Sequence, residues 1–159
     1  MRDFNGDTPG PPLVIGYGNT LRGDDGFGPA VVARVAELGL ACDALAVAQL
    51  APELAESIAA SAGAVFVDAA VDLPVGAVRF QNLEPATSGG PALSHHCDPR
   101  LLLLLARAVF GRCPPAVLAR VGAEGFGFGT GLAPAVRSAI PVVVEQVERR
   151  IAEWSRPGR

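Results

Sequence analysis

The chain has 159 residues and not one lysine; all thirteen basic residues are arginine. That absence excludes Schiff-base chemistry and the phosphate-binding lysine of a Walker-type loop. Cysteine is scarce: Cys42, Cys97 and Cys113 are odd in number, widely spaced and without a C-x-x-C pair. They form neither a disulfide framework nor a structural zinc pattern, so reduced thiols are expected. Positive charge is in deficit, with a net charge of −3, which argues against a nucleic-acid binder. Long apolar runs are missing too. The longest, Leu101–Ala106, sits between Arg100 and Arg107, far short of the roughly 20 residues of a membrane span. The segment Met1–Pro12 is polar and rich in Pro and Gly, unlike a signal peptide, and a cytoplasmic location is expected. Neither G-x-S-x-G nor H-E-x-x-H occurs. What remains for chemistry is a short inventory: the adjacent His95 and His96, three cysteines and sixteen carboxylates.

What is present has the rhythm of an α/β domain. Leu13-Val14-Ile15 reads as a buried strand ending at Gly16. Pro29 suits a helix first turn, where its missing N–H costs nothing, and Val31, Val32, Val35 and Leu38 follow at helical spacing up to Gly39. Residues 43–48 give a second strand, and Pro52 opens a helix carrying Leu54, Ile58 and Ala62. Ala64–Val67 is apolar on both faces, as a covered parallel strand is, and stops at Asp68. Val78–Leu83 reads as a fourth strand and 84–94 as a loop. Asp98-Pro99 caps a helix reaching Gly111, and Ala116–Val121 is a fifth strand. Pro134 opens a last helix with Val136, Ile140, Val143, Val147 and Ile151 on one side. This order predicts a single α/β domain over 12–153, an open, mostly parallel five-stranded sheet, between tails at 1–11 and 154–159. Ligands of such sheets bind beyond the carboxyl ends of the strands, which directs attention to the loops after strands one, three, four and five.

The loop after strand one holds Gly16-Tyr17-Gly18-Asn19 and Asp24-Asp25-Gly26-Phe27-Gly28. A dinucleotide fingerprint fails there, because Leu21 stands where its third glycine belongs and two adjacent carboxylates would repel a pyrophosphate. One aspartate before a helix is commonly a cap; two exceed that need. Asn19 is suited to bracing the loop through its side chain. Asp68, directly after an apolar run, must be solvated, paired or metal-bound, because burying it alone is costly. Asp72 reads as a turn residue. Asp25, Asp68 and one histidine make an O,O,N set from three loops at one edge of the sheet. It suits a divalent metal with open positions, or two carboxylates sharing acid and base roles. Cys97 reads as packed against its own helix rather than as a thiolate nucleophile. Gln49 is placed at the same edge. Phe126 and Phe128, in the glycine-dense stretch Gly122–Gly131, suggest a lid gripping an extended peptide.

These residues, with Val67-Asp68-Ala69, Ser94-His95 before a leucine-rich helix, Gly122-Ala123-Glu124-Gly125 and Gly131-Leu132-Ala133-Pro134, resemble the hydrogenase maturation proteases. The resemblance runs from about residue 12 to 152. It implies an open, mixed α/β sheet with helices on both faces. It also implies a cytoplasmic endopeptidase that removes a C-terminal extension from the large-subunit precursor of a nickel–iron hydrogenase once nickel is in place. By matching motifs, Asp25, Asp68 and His95 are its implied metal-contacting and catalytic residues, with Asp24 and His96 as neighbours that could substitute. Nickel would arrive with the precursor rather than reside in the free chain, which is expected to be a monomer without nucleic-acid or membrane partners. The alternatives are a metal-binding or metallochaperone module using the same three residues without cleavage, and a small nucleotide-binding α/β protein.

Overall fold

The structure, a computed structural model, describes residues 8–87 and 97–156. Five strands, β1 (Leu13–Tyr17), β2 (Asp43–Val47), β3 (Ala64–Ala70), β4 (Val78–Leu83) and β5 (Ala116–Gly122), form one sheet in the order β2-β1-β3-β5-β4. All neighbours are parallel except β4, which runs antiparallel to β5. The helices are α1 (Phe27–Glu37), α2 (Leu54–Ala60), α3 (Pro99–Phe110), α4 (Pro134–Ser138) and α5 (Ile140–Trp154), and a 3-10 turn, Gly23–Gly26, precedes α1.

Strand alternation divides the core in two. Val14, Val65, Val67, Val117, Ala119 and Val121 face α1, α4 and α5, whereas Leu13, Ile15, Phe66 and Ala116 face α2 and α3. The mixed sheet with helices on both faces is therefore present. Because β1 leads outward to β2 while β3 leads the other way to β5 and β4, the chain reverses direction between β1 and β3. Such a switch point opens a crevice at the carboxyl ends of the two strands.

Three expectations need correction. Strand three does not stop at Asp68; it pairs with β5 through Asp68↔Arg120, Ala69↔Val121 and Ala70↔Gly122. Ala69 and Ala70 are thus strand, and only the face occupied by Asp68 becomes polar. The loop after β4 does not start at the carboxyl edge, because antiparallel pairing sets Leu83 beside Ala116, the first residue of β5. The last helix is two, parted at Ala139; Pro141 near the start of α5 lacks an N–H and would clash with the carbonyl of a continuing turn. Both ends of the described chain make contacts with the domain. Gly10 bridges Ser61 and donates its N–H to the Ala60 carbonyl, and Trp154 is a buried residue of α5.

The crevice depends on backbones in close contact. A Cβ on Gly28 would lie 2.5 Å from the Val67 carbonyl oxygen and 2.6 Å from the Tyr17 nitrogen, so α1 can approach β1 and β3 this closely only without a side chain. Gly28→Ala is expected to push α1 off the sheet and to destabilise the chain by at least about 2 kcal/mol, as overpacking does. Urea denaturation reads this directly, and an unchanged midpoint would contradict it.

Candidate active site

Tyr17 ends β1, and Asp68 follows Val67, the residue paired with Gly16. By alternation both side chains rise from the α2/α3 face, at adjacent positions of neighbouring strands. The Tyr17 hydroxyl hydrogen-bonds the Asp68 carboxyl, and Asp68 Oδ1 also accepts from the Ala69 N–H at 2.8 Å. Burial raises the Asp68 pKa from its ordinary 3.8 to about 6, helped by the nearby Asp25 carboxylate. The Ala69 N–H, the Tyr17 hydroxyl and the Arg120 guanidinium oppose that rise without cancelling it. Burial and the Asp68 charge push the Tyr17 phenol far above its usual range, so it remains protonated and can only donate to the carboxylate.

Asp25 reaches the same crevice from the first loop. Its Oδ2 accepts from the Asn19 N–H at 2.7 Å, and Asn19 Oδ1 accepts from the Leu21 N–H at 2.9 Å. The asparagine thus braces the loop in a side-chain turn, as expected from its type. Gly18, with φ of +142°, leaves room for the turn to fold onto Asp25; a Cβ there would meet the Asp25 carbonyl oxygen.

The neighbouring Asp24 does something different. It is buried, 3% exposed, and turned toward the glycine-dense stretch. Its Oδ2 accepts from the Glu124 N–H at 2.8 Å and the Gly125 N–H at 3.4 Å, and its Oδ1 from the Ala133 N–H at 2.8 Å. Further bonds join the two loops: Gly23 N–H to the Gly129 carbonyl and Gly129 N–H to the Leu21 carbonyl, each at 2.9 Å. The glycine-dense loop is therefore stitched to the first motif along its length. Its two phenylalanines separate as well. Phe126 packs against the α1/α5 side of the core, while Phe128 is 88% exposed under the Arg22 guanidinium, 4.8 Å from the ring centroid. Of the two, Phe128 is the one that stands clear of the core.

His95 and His96 lie outside the described residues. Asp98 is described: it caps α3 through the Arg100 N–H at 2.7 Å, and its charge acts on Tyr17. Cys97 packs against the α2/α3 side of the core and burial raises its thiol pKa, the opposite of what a nucleophilic thiolate needs. Gln49 is exposed just beyond β2. Asp72 is not merely a turn residue, since Arg120 holds it at 2.6 Å and its pKa is lowered by that guanidinium. Two participants escaped the sequence reading, Tyr17 and Arg120. Tyr17 is the chain's one tyrosine and lies two residues from the buried Ile15, which is the signal that could have found it.

The crevice is thus a pair of carboxylates from separate segments, one poised to exchange a proton near neutral pH, with a tyrosine holding it in place. No family model and no curated protein matches the sequence. Solved structures do match. The hydrogenase maturating endopeptidase HybD from E. coli is 25% identical, with a TM-score of 0.74 over 91% of this chain and 94% of that one. The [NiFe] hydrogenase maturation protease HycI from Thermococcus kodakarensis is also 25% identical, with a TM-score of 0.67 over 94% and 96%. The chain is similar in fold and motif order to the hydrogenase maturation proteases. A hydrogenase 2 maturation peptidase from a Thaumarchaeota archaeon shares the fold at 24% identity, with a TM-score of 0.67 over 89% of this chain and 98% of that one. That likeness supports a peptidase. Among the described residues no helix is long and apolar enough to cross a membrane.

Proposed function

We propose that this peptidase removes the C-terminal extension of a nickel–iron hydrogenase large-subunit precursor after nickel insertion, and that it uses the nickel carried by the precursor as its recognition element. The observation that carries the reading is the convergence of Asp25 and Asp68 at the switch point of a fold shared with hydrogenase maturation endopeptidases. His95 is the third ligand in this reading. Its support is its place in the chain, three residues before Asp98, whose carboxylate acts on Tyr17. Two carboxylates and an imidazole make a weak site for nickel taken alone. Nickel already held by the precursor's thiolates would complete its coordination here, so that a loaded precursor is bound and an empty one is not. The free chain carries no resident metal in this account and works as a cytoplasmic monomer.

Seating the precursor on these ligands places its scissile bond beside Asp68, and such positioning lowers the barrier by removing the cost of encounter. Asp68 has two oxygens, so one can face the nickel while the other accepts a proton and returns it. A water gives its proton to Asp68 Oδ as its oxygen bonds to the scissile carbonyl carbon. The carbon–nitrogen bond then breaks, and the same proton passes to the leaving amine. Tyr17 keeps the carboxyl oriented throughout.

The test is incubation of the full chain with nickel-loaded and nickel-free large-subunit precursor from the same organism, read by mass spectrometry. The expected result is loss of the extension from the loaded precursor alone. Equal cleavage of both would overturn the recognition role of nickel. Binding without cleavage would favour the metallochaperone reading instead.

A further inference from the structure

Beside the acidic crevice the sheet carries a local conflict. The register of β4 against β5 sets Arg79 directly opposite Arg120. Val78 and Phe80 on one strand, and Ala119 and Val121 on the other, face the α1/α5 side of the core, so both arginines rise from the opposite face, that of Tyr17 and Asp68. Like charges facing each other across an antiparallel pair destabilise a sheet. Arg120 acts at longer range on Asp68, and among the described residues Asp72 is the carboxylate in ion-pair contact. Asp72 accepts from Arg120 Nη2 at 2.6 Å and Nη1 at 3.4 Å, and feels the charge of Arg79. Yet Asp72 is mostly exposed, with 62% of its side chain accessible against 26% for Arg120, and exposed ion pairs contribute little. The one carboxylate in direct contact with this arginine pair, among the described residues, is thus loosely held. Sequences usually break a local rule of this kind at a functional site.

We infer that Arg79 and Arg120 form a carboxylate subsite for the precursor's C-terminal extension. The inference rests on the function proposed above. In that reading the nickel-bearing part of the precursor occupies the Asp25–Asp68 side, and the inference has the chain beyond the scissile bond continue toward β5 and β4, where the two arginines lie. Arg120 lies one strand and Arg79 two strands from Asp68. At roughly 4.8 Å per strand and 3.3 Å per extended residue, they meet the peptide about one to three residues past the cleaved bond. The planar fork of a guanidinium binds a carboxylate through two parallel hydrogen bonds. Asp72 fills that place in the free chain and is exposed enough to yield it. The incoming carboxylate is either an acidic side chain of the extension or its terminal carboxylate.

The experiment measures kcat/KM for nickel-loaded precursor with the wild-type chain and with Arg79→Gln, and the affinity of each for a labelled synthetic peptide of the extension sequence. Arg79→Gln should lower kcat/KM about tenfold, mainly through KM, and weaken the peptide to the same extent, with Tm unchanged or slightly raised. Neutralising the extension's acidic side chains, or amidating the peptide's terminus, identifies the source. One of the two should cost the wild-type chain about tenfold and cost Arg79→Gln nothing further. Equal peptide affinity for wild type and Arg79→Gln, or losses that multiply when both changes are combined, would overturn the subsite. Failure of the wild-type chain to cleave any precursor would instead remove the proposed function, and the peptide affinities would still decide the subsite.

Discussion

Asp68→Asn should abolish precursor cleavage and at the same time make the chain more stable above pH 6. Both effects come from one carboxyl. Removing a proton acceptor from a reacting centre costs about 100-fold or more in rate, and the asparagine amide cannot take a proton from water. The stability effect follows from linkage. The folded-state pKa of Asp68, about 6, lies above its ordinary 3.8, so the folded chain binds this proton more tightly than the unfolded chain does. The stability tied to it is fully present below about pH 4 and is lost as pH rises through 6. Asparagine has the same shape, can still accept from the Ala69 N–H through its one oxygen while its amide donates to the Tyr17 hydroxyl oxygen, and carries no charge to bury beside Asp25. Urea midpoints of the two proteins should therefore coincide near pH 4 and diverge above pH 6, by an amount on the order of 2 kcal/mol. A difference that does not change with pH would refute the raised pKa. Undiminished cleavage would remove Asp68 from the mechanism. Gains of stability on deleting a reacting group are common, because active sites hold charges where folding alone would not place them.

Asp24→Ala should do the reverse, destabilising the chain strongly although the residue next to it is the one facing the crevice. Its carboxylate accepts from three backbone N–H groups spread over residues 124 to 133. Hydrogen bonds to a charged group are worth more than neutral ones, and donors left without a partner each cost about 1–3 kcal/mol. Partial access of water to the loop lowers that cost, leaving about 3–4 kcal/mol. For a domain of this length that corresponds to a fall in Tm of about 10 °C. Asp24→Asn should fall between, because its oxygen can still accept while its amino group faces a donor. Thermal unfolding followed by circular dichroism measures the series, and hydrogen exchange should show the amides of 124–133 opening first. A Tm within about 2 °C of wild type would mean that the glycine-dense loop is held by its other bonds, among them those of Gly23 and Gly129.

Asp24 and Asp25 show where sequence reasoning reaches its end. They are identical side chains at consecutive positions, and nothing local separates them. The difference arises because residues 124–133 return from the far end of β5 and lay their N–H groups against Asp24 alone. Phe126 and Phe128 divide in the same way: two equivalent aromatics two residues apart, one packed against the core and one left in solvent.

Several things were decided by the sequence itself. The strands and most helices are local in origin, written in a period of two or 3.6 and punctuated by Pro29, Asp98-Pro99, Gly39 and Gly111. The exclusion of lysine chemistry and the nomination of Asp25 and Asp68 were equally available from residue type and position. Tertiary structure decided the rest. Strand order and the reversed direction of β4 depend on pairing between distant segments, and that reversal brings Arg79 opposite Arg120. The pKa of Asp68 depends on burial between β1 and β5, and on Tyr17, Asp25 and Arg120 together. Hydrophobic periodicity is a property of neighbours along the chain. A site's electrostatics belong to neighbours in space, and only the folded chain brings those together.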